Sequence, residues 1–263
     1  MIRTVRGAVR LVFFLFVTSM VIIFLLIGNL ILKVIFSKKQ LKWKYQVIKV
    51  WANLIRLLLN IEVEMKGTPP KPPFFMAGNH LSYIDIIPLW LFSDTTFVAK
   101  SDISSWPVIG RVSHLIGIIF INRNMKRDVY RVNRLITQSI GDCQGVTVFP
   151  EGTSTKGKVV KPFHSSLLQY PVKKNMEVHY FSLSYKSKDP NRSAANYICW
   201  WGDMEFVSHF WELLKLSGFK ATIRFGKKTV TGNDRKQMAS RLWRNIQNDF
   251  IPVVKREVQK EVI

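Results

Sequence analysis

Between Leu11 and Leu32 the chain carries no charged residue and is almost all Leu, Ile, Val and Phe. At about 1.5 Å per residue, such a run reaches across a hydrocarbon core of roughly 30 Å, which predicts a membrane helix. It exceeds the roughly 7 to 15 apolar residues of a signal-peptide core, and no small-x-small cleavage site follows it. Lys and Arg flank both ends, so charge leaves the orientation open, with a re-entrant or half-inserted helix pair as the alternative to a full span. Residues 41 to 59 carry a polar stripe, Lys42, Gln46, Lys49, Asn53 and Arg56, at alternating spacings of four and three. Trp43, Val47, Val50, Trp51, Leu54, Leu57 and Leu58 fill the rest, the pattern of an interfacial amphipathic helix or of a core helix whose stripe faces water.

The period changes at Ile61. Ile61 to Lys66 alternates apolar with charged, the mark of a half-exposed strand. The Pro-rich stretch 68–73 suits neither helix nor ladder and reads as a linker or tight loop into the next unit. Beyond it, apolar runs at 74–77, 97–99, 118–121, 146–149, 178–184 and 221–225 predict strands. Helical patterns fill 81–92, 104–116, 126–140, 204–217 and 234–250. Strands and helices in turn imply an α/β fold with a mixed sheet flanked by helices, preceded by an N-terminal membrane-associated helix pair. Residues 1–60 are thus expected to anchor the chain and residues 61–263 to form the catalytic domain.

Charge narrows the partners. Lys and Arg number 39 against 17 Asp and Glu, a formal charge of +22, and no acidic residue precedes Glu62. An anionic surface is implied, either a bilayer or nucleic acid, and the apolar N-terminal arm favours the bilayer. Positive charge without a recognisable reading module argues against nucleic acid. The two cysteines, Cys143 and Cys199, have no metal-ligand spacing and imply no disulfide framework.

Chemistry enters directly after the strand at 74–77, where Gly78-Asn79-His80-Leu81-Ser82-Tyr83-Ile84-Asp85 places a His and an Asp five residues apart. With His80 at a helix start and Asp85 one turn in, the carboxylate would accept from one ring nitrogen and leave the other to take a proton. Chance alone supplies an H-x4-D pair in roughly one such sequence in six, so its context matters. That context is Phe149-Pro150-Glu151-Gly152-Thr153-Ser154, again at the end of a predicted strand, a turn whose N–H groups and hydroxyl suit an anion.

Together, NHxxxxD and FPEGT about 70 residues later resemble the glycerolipid acyltransferase family. Between them, Lys100, Pro107, Gly110, Gly117 and Phe120-Ile121-Asn122-Arg123 resemble its second block. The resemblance spans roughly residues 74 to 170. It implies that His80 deprotonates an acceptor hydroxyl, that Asp85 orients it, and that Lys100, Arg123, Glu151, Gly152 and Thr153 bind the acceptor headgroup or phosphate. Attack would be direct, from lipid hydroxyl to thioester carbon, leaving Ser82 and Cys143 as bystanders. The implied reaction moves a fatty acyl chain from acyl-CoA or acyl carrier protein to a lysophospholipid, with 1-acyl-sn-glycerol-3-phosphate giving phosphatidic acid. It needs no cofactor and no metal, and it takes place at a membrane, on the cytoplasmic face and at the inner membrane if the source is bacterial. The expected partners are membrane lipids, the lysophospholipid acceptor and the acyl donor, with no nucleic acid.

The third block departs from the family pattern. Where an Arg usually follows the Thr, this chain has Ser154, Thr155, Lys156 and Gly157, and a lysine cannot reproduce the bidentate geometry of an arginine. The family's fourth, apolar block is hard to recognise near 178–184. A branch acting on another lyso-lipid, such as lyso-ornithine lipid, is the alternative, and a non-enzymatic basic membrane-binding protein is the rival of a different class. His114, His164, His179 and His209 lack ligand spacing and read as structural. The aromatic run from Tyr197 to Trp211 reads as core before acyl-chain contact.

Overall fold

The computed structural model describes residues 1–35, 37–122 and 125–254. Helix α1 (Ile2–Ile35) and helix α2 (Ser37–Leu58) form a hairpin. Strands β1 (Ile61–Lys66) and β2 (Phe75–Gly78) flank the Pro-rich loop, which therefore lies inside the sheet domain and does not precede it. Then follow α3 (Ile86–Phe92), β3 (Thr95–Lys100), α4 (Ile109–Leu115), β4 (Ile119–Ile121), α5 (Lys126–Ser139) and β5 (Gly145–Val148). The chain continues through α6 (Gln169–Lys173), β6 (Val178–Ser187), α7 (Ala194–Tyr197), α8 (Phe206–Leu214), β7 (Phe219–Phe225) and α9 (Arg235–Asp249).

Seven strands form one sheet in the order β1-β7-β6-β2-β5-β3-β4, parallel at every pairing except β6 with β7. Strand β2 is central and fully buried, and its residues alternate between two cores as a strand must. Phe74 and Met76 point to the side of α2, α3 and α8, whereas Phe75 and Ala77 point to the side of α5 and α9. Burying each large side chain contributes about 1.5–3 kcal/mol, so this segment is among the firmest in the molecule. After β2 the chain continues into α3 on one face, and after β5 it continues through Leu168 into α6 on the other. Adjacent parallel strands whose connections leave to opposite faces open a crevice at their carboxyl ends, the usual ligand position in such sheets.

Two predicted helices start late. Residues 81–82 stay non-helical, a 3-10 turn covers Tyr83–Asp85, and α3 begins only at Ile86. The 104–116 segment is divided at Pro107 into a 3-10 turn (Ser101–Ser105) and α4, because proline cannot supply the N–H that a continuous helix needs. The short α6 and α7 are additions to the predicted set.

Helix α2 packs one face on the sheet domain and leaves a second apolar set exposed. Tyr45, Ile48, Ala52, Ile55 and Leu59 form its core face, while Val50, Leu54 and Leu57 stay exposed. Buried Lys44 donates to the Ile116 carbonyl and to Gln144 Oε1, which also accepts from the Tyr45 hydroxyl at 2.6 Å, pinning α2 to the loop before β5. Along α1, Ile2–Ile31 is apolar and long enough to cross a membrane, and only 6% of its most apolar window is buried. Its first turns nevertheless belong to the domain. Arg10 donates to the carbonyls of Leu214 and Leu216 and Arg6 to that of Lys215, so two cations cap the carbonyl end of α8. Trp51 donates to Thr18 across the hairpin at 3.1 Å. Gly28 lies against the indole of Trp43, where a side chain would clash.

Candidate active site

Strand β2 ends at Gly78, and the next residue fixes the corner. The buried side chain of Asn79 donates to the Leu183 carbonyl and accepts from its N–H, at 3.0 and 2.7 Å, continuing the β2–β6 pairing after the ladder has stopped. This holds His80 at the mouth of the crevice with its side chain 25% exposed. His80 Nδ1 lies 2.7 Å from Asp85 Oδ2, as the spacing predicts, although the pair bridges a turn and not a helix. A carboxylate only accepts, so the proton sits on Nδ1 and Nε2 is left with its lone pair. The ring stacks on Phe149, centroids 4.2 Å apart, which fixes its plane.

Asp85 is wholly buried and wholly satisfied. Its Oδ2 also accepts from the Leu81 and Ser82 N–H groups, and its Oδ1 accepts from the Tyr185 hydroxyl at 2.7 Å. Ser82 takes an extended φ of −164° and Asp85 reaches back to its N–H, so the first turn begins only at Tyr83. Burial, reinforced by Asp85, holds the Tyr185 phenol well above its ordinary range. It therefore stays a donor. A buried carboxylate is tolerable only when fully hydrogen-bonded, and here four donors reach it. Among the described residues the buried Ser82 hydroxyl makes no hydrogen bond to His80, so it is not poised on the imidazole.

The second motif is stitched to the first through the backbone of His80. Its N–H donates to Glu151 Oε1 at 2.6 Å, and its carbonyl accepts from the Thr155 N–H at 3.0 Å. Glu151 Oε2 accepts from the Lys161 N–H. Glu151 is thus buried with both oxygens occupied, and its carboxylate holds the turn from behind. Burial pushes it up to about 7 despite those two N–H groups. Gly152 takes a positive φ of 75°, a conformation a glycine adopts without strain, and Thr153 is exposed.

Lys100 closes β3, two strands from β2, and its exposed ammonium pairs with Asp102. Arg123 lies outside the described residues, after β4. Asn79, Phe149 and Tyr185 were absent from the predicted site. Asn79 and Phe149 are written into the two motifs, but Tyr185 stands 100 residues from Asp85 and carries no local signal. Among the other histidines, His209 Nε2 donates to the Cys199 carbonyl and Nδ1 accepts from the Tyr83 hydroxyl, a structural arrangement. Of the aromatic run, Phe206 and Phe210 gather around Tyr83 in the core beside Phe14 of α1. Among the described residues no group of His, Cys, Asp or Glu is placed to hold a metal.

The sequence model of the Acyltransferase family matches residues 60–183. The 1-acyl-sn-glycerol-3-phosphate acyltransferase of Neisseria meningitidis is 30% identical over 168 residues, 63% of this chain and 64% of that protein. The chain therefore aligns with a little under two thirds of that relative. The lyso-ornithine lipid O-acyltransferase of Brucella abortus is 26% identical over 250 residues, 89% of this chain and 91% of that protein. The crystal structure of the 1-acyl-sn-glycerophosphate acyltransferase PlsC from Thermotoga maritima superposes with a TM-score of 0.64 at 17% identity, covering 94% of this chain and 97% of that one. With both motifs joined at one sheet edge and the sequence match running through them, residues 60–183 are similar to the Acyltransferase family.

Proposed function

We propose that the protein transfers a fatty acyl chain from an acyl thioester to the free hydroxyl of a lysophospholipid, with 1-acyl-sn-glycerol-3-phosphate as acceptor. The observation that carries this reading is the half-exposed His80, held by buried Asp85 beside the Glu151–Thr153 turn. Nε2 takes the proton of the acceptor hydroxyl as its oxygen attacks the thioester carbon. The carbon–sulfur bond breaks, and the proton passes to the departing thiolate. A base so positioned contributes on the order of 10²- to 10⁴-fold in rate. Gly152, Thr153, Lys100 and Arg123 serve the headgroup, the arginine through two parallel hydrogen bonds. No cofactor is needed beyond the acyl-CoA or acyl carrier protein that brings the chain.

The exposed apolar face of α1 supports residence at a bilayer, with residues 61–263 on the cytoplasmic side. Because α1 starts against α8 and α2 returns along it, a hairpin lying in one leaflet fits these contacts better than a full crossing. A second acceptor, lyso-ornithine lipid, is favoured by the missing arginine after Thr153 and by the named activity of the Brucella relative.

Full-length protein in mixed micelles, given palmitoyl thioester with lysophosphatidic acid or lyso-ornithine lipid, is expected to release free thiol and form the diacyl product from one of the two. Absence of thiol release with both, and with a wider set of lyso-lipids, would return the protein to a non-enzymatic membrane-binding role.

A further inference from the structure

Helix α9 ends at Asp249, and the chain leaves it as an irregular strap, residues 250–254. Strand β6 fastens this strap. The buried hydroxyl of Ser182 donates to the Asp249 carbonyl at 3.1 Å, and that of Ser184 donates to the Ile251 carbonyl at 2.6 Å. Leu183 and Tyr185 alternate with them and face the other side, where Leu183 pairs with Asn79 through its backbone and Tyr185 donates to Asp85. One stretch of strand thus grips the strap on one face and the His80 corner on the other.

The far end of the strap closes on the loop after the FPEGT turn. The Val253 N–H donates to the Gly157 carbonyl at 2.8 Å. Gly157 has a φ of 75°, and a Cβ there would lie 2.6 Å from Val253 Cγ2 and 3.2 Å from Leu81 Cδ2, so glycine lets loop, strap and the residue after His80 meet. The Gly157 N–H donates to the Thr155 hydroxyl at 3.3 Å, and the Thr155 N–H donates to the His80 carbonyl at 3.0 Å. Helix α9 holds the same loop at Val160, whose N–H donates to Gln247 and whose carbonyl accepts from the Trp243 indole. A chain of hydrogen bonds therefore runs from Val253 to the backbone of His80.

We propose that this strap is a positioning element of the acyl transfer, with Val253 as its contact residue: it fixes the loop that holds the His80 carbonyl and so sets the imidazole against its acceptor. The inference rests on the general-base role of His80 proposed above. Glu151 takes the His80 N–H and Thr155 takes its carbonyl, so a loop released on the Thr155 side lets the peptide tilt. Displacing a reacting group by about 1 Å can cost on the order of 10²-fold in rate. Beyond Phe250 the strap adds little apolar burial, with Ile251 41% exposed and Pro252 exposed, whereas its hydrogen bonds go to Ser184 and Gly157.

The test uses the full-length chain in mixed micelles and substitutions that leave the site residues in place. Val253→Pro removes the N–H that reaches Gly157, Ser184→Ala releases the Ile251 carbonyl, and Ser184→Thr restores a hydroxyl there. Val253→Pro and Ser184→Ala should each lower kcat for thiol release from palmitoyl-CoA about five- to tenfold with both KM values unchanged, and Ser184→Thr should stay within about twofold of wild type. In 15N-histidine-labelled protein the Nδ1 proton that His80 donates to Asp85, assigned by its loss in His80→Gln, should exchange with solvent about fivefold faster in Val253→Pro and Ser184→Ala. A lower unfolding temperature with kcat and proton exchange at wild-type values would reduce the strap to packing and overturn the proposal. A kcat loss matched by a rise in the KM for either substrate would assign the strap to binding and overturn it equally. Should Val253→Pro fail to fold, the Ser184 pair decides by the same readings. Absence of thiol release by the wild type would count against the reaction, while proton exchange alone judges the strap.

Discussion

The corner around His80 and the rim around Lys100 stand at the carboxyl edge of one sheet and are built in opposite ways. At the corner every polar atom that sets the imidazole is buried and satisfied: Asn79 by Leu183, Asp85 by four donors, Glu151 by two N–H groups. At the rim Lys100 is exposed and paired with an equally exposed Asp102, and Arg123 follows the short edge strand β4. Chemistry tolerates little displacement of a base, so its supports lie in the core. On the proposed function, the rim would hold a headgroup through long side chains that adapt. Exposed ion pairs contribute about 0–1 kcal/mol, so the rim can change between relatives without loss of fold.

Substitutions can break this contrast, and beyond His80 itself the largest effect is expected at Asp85. Asp85→Asn should lower kcat about 10³- to 10⁴-fold in thiol-release assays with little change in KM, because the amide favours the wrong imidazole tautomer. Activity within tenfold of wild type would mean the carboxylate only supports the turn. Tyr185→Phe removes one of four donors and should cost roughly tenfold in kcat. A loss of about 1–3 kcal/mol in denaturant unfolding should accompany it. An unchanged kcat with that same loss would confine the phenol to stability.

Glu151 sharpens the comparison through pH. Its carboxyl titrates near 7 in the folded chain against an ordinary 4.5. The buried group therefore favours folding most below about pH 4.5, and that contribution is lost as pH rises through 7, up to about 3 kcal/mol. Thermal unfolding between pH 5 and 8 should carry this slope, and Glu151→Gln should flatten it. A variant with the wild-type slope would place the titration elsewhere. At the rim effects should be smaller and confined to KM. Arg123→Ala should raise the KM for the lyso-lipid about tenfold and Lys100→Ala only about twofold, with kcat and stability unchanged. Equal effects would show that charge alone binds the headgroup.

The same contrast decides what the sequence revealed. Buried strands announce themselves as short apolar runs, so the predicted strand starts lie within two residues of those found. The His80–Asp85 contact is local, and five residues of spacing read together with the 149–154 turn led to expecting it. Tyr185 was invisible, because β6 is brought beside β2 by sheet order and nothing near Tyr185 encodes that neighbour. The partners of Glu151 were equally hidden, because only three-dimensional packing brings the His80 and Lys161 N–H groups to its carboxylate. Helix 81–92 was drawn too early because apolar periodicity does not register the extended, capping backbone of Ser82. In α2 one pattern served two surfaces, the core and the outer apolar face, which periodicity cannot separate.

The central claim is that one imidazole removes the proton from the acceptor hydroxyl. His80→Ala, purified full length and assayed with palmitoyl thioester and the preferred lyso-lipid, should lose at least about 10³-fold in thiol release and product formation. Its binding to vesicles and its thermal unfolding should remain those of the wild type. Turnover near the wild-type rate in that variant would contradict the account.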